Sequence, residues 1–252
     1  MSAKEVALCL SGGGFRGVAH VGVLKFLEEQ NIKIKALSGS SAGSIVALLI
    51  ASGKKSDEII DIIKQIQKRD VFKLSKNPGF FSLDNFETFL RDRVDVKSFD
   101  DLKIPLFVCV TNLADGKASY LNSGDPIESV IASSSLSPIF EAKKIDNNFY
   151  IDGGFADNLP LTPLKNRDYK VFSISVNPIK KEPVDSTKDL LVRSLLIMLN
   201  SNIRRSSVNS DAFLEIQGTT NMHIFDFSSI DRAYEYGYKE TKNAWEKIVD
   251  NF

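Results

Sequence analysis

One serine of this chain is set where a nucleophile would need it. Ser41 sits in Gly39-Ser40-Ser41-Ala42-Gly43, after a short apolar run, Ile34-Lys35-Ala36-Leu37-Ser38, and before a helical pattern over Ser44–Ser52 that Gly53 closes. Glycines on both sides allow a tight, strained turn, and such a turn holds a serine out at the carboxyl end of a sheet and at a helix N-terminus. The positive end of the helix dipole then favours negative charge developing beside it. The same pentapeptide also fits a plain helix-capping serine, and it is the strand-turn-helix setting that favours chemistry.

Acyl transfer from such a serine needs donors for an oxygen that becomes negative. Gly12-Gly13-Gly14 follows the first strand-like run, Val6–Leu10, and consecutive glycines leave backbone N–H groups uncovered and able to converge. Adjacent parallel strands would bring this turn beside Ser41. The same stretch reads as Gly12-x-Gly14-x-x-Gly17, the spacing of a dinucleotide-binding loop. That reading wants an acid at the end of the second strand to hold a ribose, and Ser38-Gly39-Ser40-Ser41 stands there instead.

Serine also needs a base. The chain has two histidines, His20 and His223. His20 falls in the first turn of the first helix, where packing or capping explains it. His223 lies in an alternating, strand-like stretch, Met222–Phe227, and Ser41, Asp152 and His223 follow the chain order of a Ser–Asp–His triad. The alternative is Asp152 acting alone. It ends a strand pattern, Phe149-Tyr150-Ile151, and precedes Gly153-Gly154, so its carboxylate would stand at a sheet edge with little cover. An ordinary aspartate is a weak base at about pKa 3.9, and burial beside an apolar pocket would raise it.

The elements that must position these residues alternate. Val6–Leu10 is a strand buried on both faces, Val18 to about Gln30 a helix, Ile34–Ser38 a second strand and Ser44–Ser52 a second helix. That order is the signature of a parallel sheet with right-handed crossovers. Further along, the spacing predicts a helix over Asp57–Lys68 capped by Ser56, a helix over Asp84–Arg93, and a strand at Leu106–Asn112 turning at Asp115-Gly116 onto Ala118–Leu121. Asp125-Pro126 caps a helix to Ile131. Strands flank Asp146–Asn148, and strands at Lys170–Val176 and Met222–Phe227 alternate with helices at Asp189–Leu199 and Asp231–Val249.

Composition bounds the answer. The 252 residues are 43% hydrophobic and 25% charged with a formal net charge of +0, enough for a sizeable core and without the basic surplus of a nucleic-acid binder. One domain spanning 1–252 is expected. Cys9 and Cys109 fall in apolar runs and read as reduced core residues. The chain opens straight into a strand pattern, so no leader is expected, and Ile45–Ala51 and Leu190–Leu199 are too short to span a bilayer. The expectation is a soluble, cytoplasmic protein, with peripheral membrane contact and oligomeric state left open. Leu190–Leu199 reads as a core helix rather than one lying on lipid, and Phe80-Phe81 as a loop anchor rather than a mobile lip. Lys54-Lys55, Lys143-Lys144, Lys180-Lys181 and Arg204-Arg205 read as solvated surface.

Taken together these blocks resemble the patatin-like phospholipases. Gly12 through Leu24 is similar to that family's glycine-rich block and following helix, Gly39–Ser44 to its nucleophile turn, and Asp152-Gly153-Gly154 with Asn158-Leu159-Pro160 to its Asp-Gly-Gly block. Ser133-Ser134 to Pro138 and Phe140 is similar to a family segment in the active-site wall. The resemblance implies an α/β three-layer sandwich with a mostly parallel central sheet flanked by helices. It implies hydrolysis of phospholipid or lysophospholipid acyl esters without metal or cofactor, by Ser41 as nucleophile and Asp152 as base. It assigns Gly12, Gly13, Gly14 and Arg16 to an oxyanion hole, with Gly39 and Gly43 forming the elbow. Arg16 would brace that loop or meet a lipid phosphate. The blocks end near residue 160, and the acyl acceptor, headgroup and chain length stay open.

Overall fold

The computed structural model describes residues 4–165, 168–179 and 186–250. The first half follows the expected alternation. β1 (Glu5–Leu10) leads through a glycine loop into α1 (Ala19–Glu29), and β2 (Lys33–Ser40) into α2 (Ala42–Ala51). Next come α3 (Ser56–Lys64), α4 (Lys68–Val71), the two-residue strands β3 (Lys73–Leu74) and β4 (Phe81–Ser82), and α5 (Asp84–Arg91). β5 (Leu106–Asn112) turns onto β6 (Ala118–Leu121), followed by α6 (Pro126–Ser133), β7 (Lys143–Ile145), β8 (Asn148–Asp152) and α7 (Gly154–Asp157). β9 (Lys170–Ser175), α8 (Thr187–Ser207), β10 (Ala212–Glu215) and α9 (Ile230–Val249) complete the described chain.

The central sheet runs β10-β9-β1-β2-β5-β8-β7, with β6 also on β5. The pairings from β10 to β5 are parallel, and those of β6, β7 and β8 are antiparallel. Side chains alternate across a strand, and β1 feeds two separate cores. Val6, Leu8 and Leu10 point into a large cluster with α1, α2, α3, α5 and α6. Ala7 and Cys9 point to the other face, where Leu159, Leu161, Leu164 and Ile203 of α8 cover them. The fold is therefore mixed α/β, a mostly parallel sheet between helical layers. Both cysteines are free and buried.

Several expectations change. Ser56 does not cap α3: Lys55 holds the cap position, its N–H donates to Glu58 Oε2 at 2.9 Å, and the Ser56 hydroxyl donates to Glu28 Oε2 at 2.5 Å. The helix stops at Lys64, and a separate turn, α4, takes up Lys68–Val71. Met222–Phe227 is not a strand. The stretch is irregular and ends in a short 3-10 turn at Phe227–Ser229, with its carbonyls spoken for by other parts of the chain: Ile224 O accepts from Phe15 N–H at 2.8 Å and Met222 O from Arg16 Nε at 2.6 Å. The sheet edge is taken instead by β10, which pairs with β9. Leu190–Leu199 belongs to a longer helix, and it is not a core helix: Leu190, Ile197 and Met198 are exposed. Of the phenylalanine pair, Phe81 anchors against Phe72 while Phe80 is exposed.

Helices α1 and α9 meet through two glycines. A Cβ on Gly237 would lie 1.9 Å from Ala19 O, and one on Gly22 2.0 Å from Tyr234 O. The helix backbones are thus in direct contact, and no side chain fits between them. Overpacking such a contact costs about 1–3 kcal/mol or more. Gly237→Ala should lower the unfolding free energy by that amount, seen as a lower urea midpoint at unchanged m-value in equilibrium denaturation.

Candidate active site

Parallel pairing sets β1 and β2 level at their ends, Leu10 opposite Gly39, so the loops after them face each other. The approach leaves no room at Gly43, where a Cβ would lie 2.3 Å from Leu10 O. Ser41 occupies the turn between β2 and α2 with φ 48° and ψ −125°, a region a non-glycine residue rarely adopts. Three bonds hold it there. Its N–H donates to Ser133 Oγ at 2.8 Å, that hydroxyl donates to Cys109 O at 2.5 Å, and Ser44 Oγ donates to Ser41 O at 2.6 Å. Gly39 and Gly43 flank this turn, and a Cβ on Gly39 would lie 2.6 Å from Gly43 O.

Asp152 reaches Ser41 through the register of β5. Three strands pair with β5, and β6 lies along residues 108–111, overlapping both other partners. β2 (paired to 106–109) and β8 (paired to 110–112) must therefore share the opposite edge, end to end. Ser40 pairs with Cys109 and Asp152 with Val110, so the residue after Ser40 lies next to Asp152. The Asp152 side chain is buried, at 3% exposure. One carboxylate oxygen accepts from Gly154 N–H at 2.7 Å. Burial pushes its pKa up to about 6, against the opposing pull of the Ser41 hydroxyl and the Gly154 amide.

The glycine loop divides its amides. Gly12 N–H is committed to Asn158, 3.1 Å from Oδ1 and 3.3 Å from the backbone oxygen. It is not among the uncovered donors that consecutive glycines promised. Gly13 and Gly14 N–H meet no acceptor among the described residues, and both glycines line the same cavity as Ser41 and Asp152. Gly14 has φ +57°, and a Cβ there would lie 2.1 Å from Ile224 O. Asn177 Nδ2 secures the loop from the far side, donating to Gly12 O at 2.5 Å. Arg16 is buried, and its Nε bond to Met222 O makes it the brace of the loop rather than an exposed phosphate ligand.

Neither histidine stands between Ser41 and Asp152. His20 is buried and its Nε2 donates to Ser11 O at 2.9 Å, and burial pulls its pKa down to about 4. His223 is exposed at the rim of the cavity that Ser41 and Asp152 line.

Two cavities meet at Ser41. One, of about 810 Å³, is almost wholly apolar and runs past Ala42, Ile45 and Val46 toward Ile63, Ile66 and Phe86. The other, of about 1000 Å³, holds the polar groups and is bounded by Leu196 and Leu199 of α8. Ile224 and Phe225 line both and form a shared wall. α8 is also tied to the Asp-Gly-Gly turn: Asn158 N–H donates to Asn202 Oδ1 at 2.9 Å, and Asn202 Nδ2 donates to Gly154 O at 3.1 Å. Sequence reasoning missed Asn177, Asn202 and the wall residues. Each lies far along the chain from the motif it serves.

The chain belongs to the patatin-like phospholipase family, whose pattern it matches over residues 8–165. It is 29% identical over 188 residues to an uncharacterised NTE family protein of Mycobacterium tuberculosis, an alignment covering 72% of this chain and 52% of that one. It is also 29% identical over 241 residues to the lysophospholipase NTE1 of Kluyveromyces lactis, covering 92% of this chain and 17% of the relative. The chain thus spans about half the length of the mycobacterial relative and a smaller share of the fungal one. In fold it resembles VipD from Legionella pneumophila, with a TM-score of 0.58 and 15% identity over 98% of this chain and 67% of that one.

A carboxylate kept at pKa about 6 costs stability while ionised. The folded state holds its proton up to higher pH than the unfolded chain does, so folding is favoured below about pH 4 relative to above pH 6. Asp152→Asn removes that cost and still accepts from Gly154. It should be more stable than the parent at pH 8 by up to about 3 kcal/mol, with the gain shrinking as pH falls from 6 to 4. Thermal melts of both proteins across that range check it.

Proposed function

We propose that this chain is a lipid acyl hydrolase of the phospholipase A or lysophospholipase type, working through Ser41 and Asp152. The observation that carries the proposal is the strained, half-buried serine set against a buried carboxylate, with two amides that meet no acceptor among the described residues and an apolar cavity beside it. Ser41 Oγ attacks the ester carbonyl carbon as its proton passes to Asp152. The carbonyl oxygen becomes an oxyanion and is held by Gly13 and Gly14 N–H. When the intermediate collapses, the ester C–O bond breaks and Asp152 returns the proton to the departing alcohol. Water then repeats the sequence on the acyl-enzyme, with Asp152 as its base, and releases a fatty acid. The acyl chain occupies the apolar cavity, and the glycerol and headgroup face the polar one. Membership of a phospholipase family and a relative named as a lysophospholipase support this substrate class.

A general base must be ionised to act. With Asp152 at about 6, kcat/KM should rise with unit slope through about pH 6 and level off above it. Fatty-acid release from phospholipid and lysophospholipid vesicles in the presence of chelator is the measurement. Ser41→Ala and Asp152→Asn should lose activity by ~10³-fold or more, while His223→Ala keeps it within a few fold. Loss of activity in His223→Ala would replace the dyad with a triad. A silent parent protein that also fails to label with a lipid phosphonate would remove the hydrolase reading.

A further inference from the structure

The rear wall of the polar cavity is also a surface. At 3.6 residues per turn, positions 190, 194, 197, 198, 201, 204 and 205 share one side of α8 (Thr187–Ser207). Leu190, Ile197 and Met198 are 54%, 51% and 43% exposed on that side. Arg204 and Arg205 are exposed in the last turn, and none of the seven positions is acidic. The opposite side is spoken for: Leu196 and Leu199 line the cavity that holds Ser41 and Asp152, and Asn200, Asn202 and Ile203 are buried. The helix thus carries apolar residues outward at the level of the cavity and basic residues outward at its end. Large apolar side chains on display beside an active-site opening mark an interaction surface.

We infer that the outer face of α8 docks this protein on an anionic lipid surface and aligns the cavity mouth with the lipid. The inference rests on the lipid-hydrolase reading above and names the surface through which the substrate arrives. The chemistry selects the occupant. An amphipathic helix whose outer face carries an apolar band, a basic end and no acid partitions into the headgroup boundary of a membrane. Its arginines meet lipid phosphates at an anionic leaflet. The position selects it as well. An acyl chain leaving the bilayer beside Ile197 and Met198 passes Leu196 and Leu199, one residue away on the inner side, before it meets Ser41. The Asn202 bonds to Asn158 and Gly154 keep the docked helix in register with the Asp152 turn.

The test uses the full chain, vesicles of phosphatidylcholine with phosphatidylglycerol, and a soluble short-chain nitrophenyl ester. Binding is read by flotation, independently of turnover. Ile197→Glu with Met198→Glu should weaken vesicle binding at least tenfold and slow vesicle hydrolysis in proportion, while hydrolysis of the soluble ester stays within twofold. Arg204→Glu with Arg205→Glu, which leaves the apolar band intact, should remove the preference for anionic over pure phosphatidylcholine vesicles. Unchanged flotation in both variants overturns the inference, even if the hydrolase reading stands. A parent that floats as expected but cleaves neither substrate overturns the hydrolase reading and leaves the docking face. If light scattering shows a concentration-dependent dimer that the Ile197/Met198 variant abolishes, and the parent does not float, the face belongs to a second copy of the chain and the lipid assignment falls.

Discussion

A carboxylate with no cation nearby is costly to bury, and the arrangement around Ser41 and Asp152 turns on accommodating one. Asp152 gains a single backbone donor, from Gly154, together with the serine hydroxyl it faces. Among the described residues nothing positive is brought up to neutralise it: the nearby buried guanidinium, Arg16, spends its Nε on the Met222 carbonyl. A positive partner would stabilise the ion and lower its pKa. Burial instead holds the carboxylate at a pKa of about 6, so that it titrates close to neutral pH.

The same economy shapes the backbone. Ser41 adopts a left-handed conformation that costs of order 1–3 kcal/mol. The bonds from Ser41 N–H to Ser133, from Ser133 to Cys109, and from Ser44 to Ser41 O over-determine that geometry. Ser133 lies on α6 and Cys109 on β5, so two further elements must be in place before the elbow is fixed. The glycine loop is secured in the same manner by two buried asparagines, Asn158 on the Gly12 amide and Asn177 on the Gly12 carbonyl.

What was legible in the sequence was local. Gly39–Gly43, Gly12–Gly14 and Asp152–Gly154 each combine a strand end with a turn, and a run of a few residues suffices to read them. The parallel order of β1 and β2 followed from the same alternation. What was not legible was long-range. Met222–Phe227 alternates like a strand because Met222 is buried and Ile224 and Phe225 face cavities, while its carbonyls serve Arg16 and Phe15, about two hundred residues away. Hydrophobic periodicity cannot tell a ladder from a wall. α8 misled for a related reason. Its apolar residues read as core, yet Leu190, Ile197 and Met198 are exposed. Asn202 carried no local signal, since nothing near it in the chain hints at Gly154.

The bond from Arg16 to Met222 joins residues 206 positions apart. It has a consequence for the order in which the molecule comes into being. A growing chain carries both Ser41 and Asp152 before residues 170–215 have supplied β9 and β10. The wall formed by Ile224 and Phe225, and the brace on the glycine loop, exist only once residue 225 has been made and folded back. A chain cut short between residues 152 and 222 would carry both side chains without that wall or that brace.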